Sequence, residues 1–168
     1  MPLAAVVIGI DPGLADTGYA VLETGDRSGP RVLEAGLLRT EPGEPLAQRL
    51  AVLYEGLAGL LANFPPAALA VEDLYAAYRH PRTAVLMGHA RGVVLLAAAQ
   101  QAAPVFHYPP ARVKRALTGN GRAGKRQVQR VVQQLLALRR LPEPDHVADA
   151  LAVALCHHLS SPCREDTG

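Results

Sequence analysis

Two acidic side chains stand at the ends of apolar segments, where an ionised carboxylate is out of place. Asp11 follows the run "LAAVVIGI", and Glu72 follows the run "AALAV". A buried carboxylate is destabilising unless it is paired or binds a cation. If the two runs form neighbouring parallel strands, about 4.8 Å apart, both carboxylates can reach one metal ion. Two alternatives are open: Asp11 caps the turn "DPG" through its own backbone, and Glu72 pairs with an arginine.

A second pair of candidate ligands lies near the C-terminal end of the sequence. In "DHVADALAVAL" (145–155), His146 and Asp149 are three residues apart, which places them on one face of a helix. An imidazole and a carboxylate in this arrangement can bind a hard divalent cation. We expect Asp145 to be the N-cap of this helix. The alternative for the whole stretch is a cap followed by a solvated first turn, in which an early Asp suits the helix dipole.

Three carboxylates and one histidine predict metal-assisted phosphodiester hydrolysis if the fold brings them together. In a two-metal arrangement, one ion lowers the pKa of a bound water and the other stabilises the leaving oxygen, with the ions roughly 4 Å apart. Because neighbouring carboxylates repel one another without metal, the cation would belong to the site itself.

The distribution of basic residues points to a polyanion as the binding partner. Between positions 112 and 140 there are nine basic residues and no acidic ones. The chain as a whole carries only +2, so this segment carries +9 and the remaining residues carry −7. Such asymmetry favours a surface that binds a polyanion. A solvated basic helix face is the alternative.

The elements that would position these residues follow from the hydrophobic patterning. Helical spacing of leucines, β-branched runs and Pro or Gly breaks predict the order βββαβαβααα. The first three strands form an antiparallel meander, so we expect an α/β fold: a mixed five-stranded sheet flanked by helices on both faces. The predicted strands are 3–11, 17–23, 31–40, 67–73 and 104–108, and the predicted helices are 45–63, 83–101, a short one from 110, 125–138 and 145–159.

Length and composition predict one domain, residues 1–160, followed by a disordered C-terminal tail, residues 161–168. Two cysteines are too few for a disulfide framework, and the N-terminal residues do not resemble a secretory signal, so we expect a cytoplasmic protein. No apolar run is long and uninterrupted enough to span a bilayer, so no membrane partner is expected. The apolar helix at 83–101 is predicted to be buried or to lie in a dimer interface.

Five blocks of the sequence resemble the RuvC Holliday junction resolvases, in order and at matching spacing over residues 5–160. The blocks are "GIDPGLADTGYAV" (9–21), "VEDLY" (71–75), "GHARGV" (88–93), "VKRALTGNGRAGKRQVQ" (113–129) and "DHVADALAVAL" (145–155). The resemblance implies an RNase H-like fold, a homodimer, a cofactor of Mg²⁺ or Mn²⁺ with two ions per site, and a four-way DNA junction as substrate. It also implies two symmetric nicks and a partnership with the RuvA–RuvB branch-migration complex.

The resemblance also assigns roles to individual positions. The acidic ligands of the family fall on Asp11, Glu72 and Asp149, and its fourth active-site position falls on His146, where many members have Asp. Its base-stacking aromatic falls on Tyr75, which could alternatively be a half-buried tyrosine with a wet hydroxyl. The substrate-binding residues that it implies by position or by neighbourhood are Lys114, Lys125, Arg122 and Arg126. The two lysines are the only ones in the chain, beside 15 arginines.

Three competing interpretations are less consistent with the sequence. An ATPase of the actin and Hsp70 type shares the first phosphate-binding hairpin, but it needs two such domains to enclose a nucleotide. A non-catalytic DNA-binding module would not need the intact set of candidate ligands, and the block at 113–129 favours a junction resolvase over a nuclease of RNA–DNA hybrids. The remaining candidates form no recognisable ligand set and are expected to be surface or core residues: Tyr78, His80, His89, His107, His157 and His158.

Overall fold

The structure is a computed structural model that describes residues 4–25, 28–73 and 80–160. Three strands come first, and helices and strands alternate after them. The elements are β1 (Ala5–Asp11), β2 (Asp16–Thr24), β3 (Arg31–Arg39), α1 (Leu46–Asn63), β4 (Ala68–Glu72), α2 (Pro81–Gln100), β5 (Val105–Tyr108), α3 (Pro110–Thr118), α4 (Lys125–Leu135) and α5 (Asp145–Ser160). The predicted order of elements is confirmed.

The five strands form one mixed sheet in the order β3-β2-β1-β4-β5. β1, β2 and β3 pair antiparallel, as the predicted meander requires. β4 joins β1 in parallel, and β5 joins β4 in parallel. The central strands β1 and β4 are buried over most of their length, which explains why their sequences are continuously apolar rather than alternating.

Helices cover both faces of this sheet, and the sheet separates the core into two clusters. On one face, α1 and α2 pack together, and Leu53, Leu57 and Val94 lie among the apolar side chains of β1 and β4. On the other face, α5 packs against β1 and β2, with α3 and α4 beside it. Nine residues of α5 are buried, so this apolar helix serves as the central element of the second face.

The predicted boundaries differ from the structure mainly at helix ends. α2 begins at Pro81, two residues earlier than expected, because proline is favoured in the first helical turn, where its missing N–H is not needed. α4 ends at Leu135 rather than at 138, and Ala137 adopts a positive φ of 49° just beyond it. Most of the predicted loop at 74–82, and all of the predicted tail at 161–168, lie outside the described residues.

α2 has one buried face and one exposed face. Its buried residues are Ala90, Val94, Ala97 and Ala98, whereas Val85 and Leu96 are exposed. By length and mean hydropathy alone it could cross a membrane, and within the described residues it is the one helix that could. This helix contains Arg82 and Arg91, so it does not contradict the expectation that no uninterrupted apolar run is long enough to span a bilayer. A single helix of this kind is weak evidence for a membrane span.

Candidate active site at the carboxyl ends of β1 and β4

Three carboxylates meet at the edge of the sheet where β1 and β4 end. Asp11 is the last residue of β1 and Glu72 is the last residue of β4. The parallel register pairs Ile10 with Val71, the residues just before them, so both acids emerge at the same edge. Asp149 approaches from α5, and each of the three acids offers an oxygen within 4.8 Å of the others. This group could hold a metal ion, and no second group of this kind occurs among the described residues.

Two glycines allow α5 to lie directly on the strands. A β-carbon at Gly9 of β1 would overlap the main-chain oxygen of Ala150, and one at Gly18 of β2 would overlap the main-chain oxygen of His146. Because both obstacles are backbone atoms, a larger residue would force the helix away from the sheet. The close approach brings the first turns of α5, with its two candidate ligands, beside Asp11.

Burial and mutual repulsion make the carboxylates reluctant to ionise together. Burial, followed by the charges of Asp11 and Asp149, raises the pKa of Glu72 to about 8, although Lys114 opposes the shift. Burial and the charge of Asp11 likewise raise the pKa of Asp149. A divalent cation would relieve this repulsion, and oxygen donors are the ligands that hard cations prefer. The donor set therefore fits a hard divalent cation.

His146 contacts this group without belonging to the three-carboxylate set. Its Nδ1 lies 2.8 Å from Oδ2 of Asp11, and its side chain is 44% exposed. The hydrogen bond to Asp11 raises the pKa of His146 above its ordinary value, and burial opposes this shift. These contacts confirm that the helical spacing brings His146 and Asp149 to the same edge of the sheet as the two strand-end acids.

The predicted N-cap role of Asp145 is wrong. Asp145 is the first residue of α5, and the N–H groups of Val147 and Ala148 donate instead to the main-chain oxygen of Pro144. The Asp145 carboxylate accepts from Lys125, whose Nζ lies 2.9 Å from its Oδ2. This bond lowers the pKa of the Asp145 carboxyl group. Lys125 of α4 therefore binds the Asp145 carboxylate, which is no longer available to cap α5.

The alternatives for Asp11 and Glu72 find little support. Thr17, rather than Asp11, makes the side-chain hydrogen bonds to the "DPG" turn. The Thr17 hydroxyl donates a hydrogen bond to the Gly13 carbonyl oxygen and accepts one from the Gly13 N–H. Arg91 donates to the main-chain oxygen of Glu72 and to the carboxylate of Asp73, not to the Glu72 carboxylate. Both candidate ligands are thus left directed at the shared site.

The two lysines lie beside the acids and the two arginines lie farther out. Lys114 of α3 and Lys125 of α4 line a pocket of about 230 Å³ together with Glu72 and Asp149. Nζ of Lys125 lies 3.6 Å from Oδ2 of Asp149. Burial lowers the pKa of Lys125, but its bonds to Asp145 and the negative charges of both acids outweigh this and raise it.

The remaining predicted substrate contacts are less closely tied to the site. Arg122 and Arg126 are exposed and are not among the residues that line the pocket. Tyr75 lies outside the described residues. Sequence reasoning missed the contacts of Lys125 with Asp145 and of Arg91 with the end of β4. No local signal predicts the first, whereas the block "GHARGV" could have drawn attention to Arg91.

A family model described as crossover junction endodeoxyribonuclease RuvC matches residues 7–157. The chain belongs to the RuvC family. A RuvC from Rhodopirellula baltica is 48% identical over 157 residues, covering 92% of this chain and 86% of the relative. A RuvC from Desulforamulus reducens is 49% identical over 153 residues, covering 90% and 92%. The predicted identity and nuclease activity are confirmed: the chain is a crossover junction endodeoxyribonuclease.

Solved structures agree with the family assignment. The structure of Thermus thermophilus RuvC in complex with a Holliday junction substrate matches with a TM-score of 0.89 and 38% identity, covering 94% of each chain. The yeast mitochondrial Holliday junction resolvase Ydc2 matches with a TM-score of 0.62 at 14% identity, covering 91% of this chain and 78% of that one. That second likeness concerns the fold alone. The predicted RNase H-like fold, a mixed five-stranded sheet flanked by helices, is confirmed.

Proposed function

We propose that this RuvC-family nuclease nicks four-way DNA junctions at a metal site formed by Asp11, Glu72 and Asp149, with His146 as the fourth member. The observation that carries the proposal is the close group of carboxylate oxygens from two strands and one helix, all within 4.8 Å. Such a concentration of negative charge among half-buried carboxylates is unfavourable in a protein without a counterion. It is expected where a divalent cation belongs to the chemistry.

The proposed cofactor is Mg²⁺ or Mn²⁺, with two ions in each site. When bound, such ions activate a water as nucleophile and stabilise the charge that develops on the phosphate. The protein contributes a fixed frame: Asp11 and Glu72 end adjacent paired strands, and Asp149 lies on a helix packed directly on the sheet. His146 holds Asp11 through its Nδ1, which restrains the orientation of that carboxylate.

Substrate binding is assigned to the basic residues around the pocket. Lys114 and Lys125 lie beside the acids, where they would contact the phosphates that flank the scissile bond. Arg122 and Arg126 would contact phosphates farther along a junction arm, and Tyr75 would stack on an unpaired base. Phosphate contacts of this kind supply affinity and orientation but do not read base sequence.

The proposed assembly is a homodimer of chains whose nuclease domain spans residues 1–160. Two symmetric nicks require two active sites, one for each cleaved strand. The exposed side of α2, which includes Val85 and Leu96, is the proposed dimer contact. The setting is the bacterial cytoplasm, where the enzyme would act on recombination intermediates together with the RuvA–RuvB complex.

One experiment tests the proposed function directly. Purified protein is mixed with a synthetic four-way junction or with a linear duplex of the same sequence, in Mg²⁺, Mn²⁺ or EDTA. We expect paired nicks in the junction with either metal, none with EDTA, and little cleavage of the duplex. Equal cleavage of both substrates would contradict junction selectivity, and cleavage in EDTA would contradict the metal site.

A further inference from the structure

The end of β4 that carries Glu72 is held by hydrogen bonds from two neighbouring elements. Arg91 of α2 donates through Nη1 to the main-chain oxygen of Glu72 at 2.9 Å, and through Nη2 to Oδ1 of Asp73 at 2.7 Å. From the opposite side, the N–H of Asp73 donates to the main-chain oxygen of Tyr108 on β5 at 2.9 Å. The peptide unit between Glu72 and Asp73 is therefore fixed on both edges.

Arg91 is suited to this contact by its geometry and its surroundings. Its side chain is only 15% exposed, and Nη2 also contacts Nδ1 of His107 on β5. An arginine has donors but no acceptor, so His107 accepts this bond through an unprotonated Nδ1. A planar guanidinium presents its donors in a rigid fork, which can bind a carbonyl and a carboxylate at once, whereas a lysine ammonium cannot reproduce that arrangement.

The Glu72 carboxylate would otherwise be pushed away from the site. It is buried beside Asp11 and Asp149, and their charges repel it. A strand end with a free backbone could rotate and relieve that repulsion by turning the side chain outward. Fixed backbone contacts prevent this rotation, since they leave only side-chain torsions free.

We propose that Arg91 is a positioning residue that holds the end of β4 so that Glu72 faces the metal site. The inference rests on the proposed role of Glu72 as a metal ligand, and it gives a function to the block "GHARGV". Arg91 acts on Glu72 through the main chain of Glu72 and through Asp73. Arg91 differs from the lysines that line the pocket, because its guanidinium donates to the main-chain oxygen of Glu72 and to the carboxylate of Asp73 and is not directed at a substrate phosphate.

The test compares two variants of Arg91 with a control in the full-length protein. Arg91→Met removes every donor but keeps the apolar stem, and Arg91→Lys keeps the charge but not the fork. Arg31→Lys is the control, because Arg31 also donates two hydrogen bonds, through Nε and Nη2 to Oε2 of Glu23, but at the exposed ends of β2 and β3 and away from the acids. Mn²⁺ binding is measured without DNA by electron paramagnetic resonance, and nicking is measured at saturating metal.

We expect Arg91→Met to weaken Mn²⁺ binding at least about tenfold and Arg91→Lys about fivefold. At saturating metal, nicking should slow in the same order, because a displaced Glu72 carboxylate holds the metal less well. Junction binding in EDTA should stay within about twofold of the original protein, and Arg31→Lys should match the original in every measurement. A purely structural role would lower the thermal midpoint and junction binding together. Unchanged Mn²⁺ binding and nicking in a folded Arg91→Met protein would overturn the inference.

Two further variants keep the outcomes distinguishable. If Glu72→Gln binds Mn²⁺ and nicks normally, the assignment of Glu72 fails, and the proposed function is revised with it. If Glu72→Gln is impaired while both Arg91 variants are normal, only the present inference fails. Should the Arg91 variants not fold, Asp73→Ala removes the carboxylate that holds Nη2 of Arg91, and an unchanged Mn²⁺ affinity in that folded variant overturns the inference.

Discussion

The two charged regions of this protein are built in opposite ways. The acidic centre collects Asp11, Glu72 and Asp149 from three elements that are far apart in sequence. The basic region is a single segment, residues 112–140, whose nine cations lie on or around α3 and α4. The first depends on the whole fold, whereas the second depends mainly on local sequence.

Burial separates the two regions energetically. The pKa values of Glu72 and Asp149 are raised, first because burial disfavours their charged forms. Arg122 and Arg126, by contrast, are exposed to water, where salt screens their interactions. Bringing the acids of the acidic centre close together therefore costs stability, whereas the exposed cations of the basic region carry little such cost. The two regions meet at Lys125, which contacts both Asp145 and Asp149, so most variants of one region leave the other intact, but changes at this contact affect both.

The largest effect is expected from Asp11→Asn, which removes one charged ligand without changing the shape of the side chain. Nicking should fall by at least about 10³-fold, equivalent to about 4 kcal/mol of activation free energy. Junction binding in EDTA should remain near normal, because the basic region is untouched. Single-turnover nicking and a gel-shift assay measure the two quantities, and an equal loss of both would argue against a catalytic role.

The next largest effect concerns stability without metal. Because the pKa of Glu72 is raised from 4.5 to about 8 in the folded state, its contribution to stability is fully present below about pH 4.5 and is lost as pH rises through 8. Glu72→Gln has no proton to lose, so in EDTA at pH 8.5 it should be more stable than the original protein by about 2–4 kcal/mol. At pH 5 the two should be nearly equal.

Urea unfolding in EDTA at the two pH values measures this difference. Added Mg²⁺ should stabilise the original protein and reduce the advantage of Glu72→Gln, because it neutralises the ionised cluster. A stability difference that is the same at pH 5 and pH 8.5 would contradict the assigned cause.

The basic region is tested by the double variant Lys114→Ala with Lys125→Ala. Loss of two phosphate contacts should weaken junction binding by about 30-fold at low salt and make the salt dependence shallower by nearly two ions. Titrations at several salt concentrations measure both quantities. The matched control is Arg122→Ala with Arg126→Ala, for which a smaller loss is expected. Unchanged binding in the lysine variant would remove the basis for a phosphate-binding surface beside the acids.

A smaller effect is expected from His146→Asp, and it should depend on pH. The hydrogen bond to Asp11 raises the pKa of His146 above 6.5, so the imidazole becomes protonated, and unable to bind metal, as pH falls through that raised value. An aspartate at this position stays ionised there when a bound cation offsets the repulsion from Asp11. At pH 6 the variant should therefore nick about tenfold faster than the original protein, and the two should converge at pH 8.5. A folded but inactive variant would show that the imidazole has a role that a carboxylate cannot fill.

The smallest effect should come from Asp145→Asn, which weakens the contact between the two regions. Asp145 is exposed and holds Lys125 at 2.9 Å, while Lys125 also approaches Asp149 at 3.6 Å. Exposed ion pairs contribute little, so junction binding should tighten by less than about threefold and nicking should change no more than that. Salt titrations measure the change, and a large loss of nicking would show that Asp145 itself belongs to the catalytic machinery.

Much of the fold could be predicted because its signals are local. Continuous apolar runs, helical leucine spacing and proline breaks predicted the order of the strands and helices in the described residues. The predicted parallel pairing of β1 with β4 accounts for an acid at the end of each strand. The meeting of Asp11 and Glu72 followed from that pairing, because the carboxyl ends of parallel strands share one edge of a sheet.

The contacts that depend on packing between elements could not be predicted in the same way. The sequence around Asp145 has the pattern of an N-cap, but Lys125 from another helix takes its carboxylate. The block "GHARGV" marks Arg91, but nothing in that block predicts that Arg91 reaches the main chain of Glu72, 19 residues earlier. Propensity describes a residue in isolation from distant partners, and at these positions a distant partner decides the contact.

The glycines beneath α5 have a consequence for how the spacing between ligands is set. The distance of Asp149 from the strand-end acids depends on how far the helix axis stands above the sheet, and at Gly9 and Gly18 that height is fixed by hydrogen atoms. A methyl group at either position would push α5 away from the sheet and increase the distance between Asp149 and the strand-end acids, without changing any of the three acids. For the proposed metal site, the size of the cation would therefore depend as much on these two glycines as on the three acids.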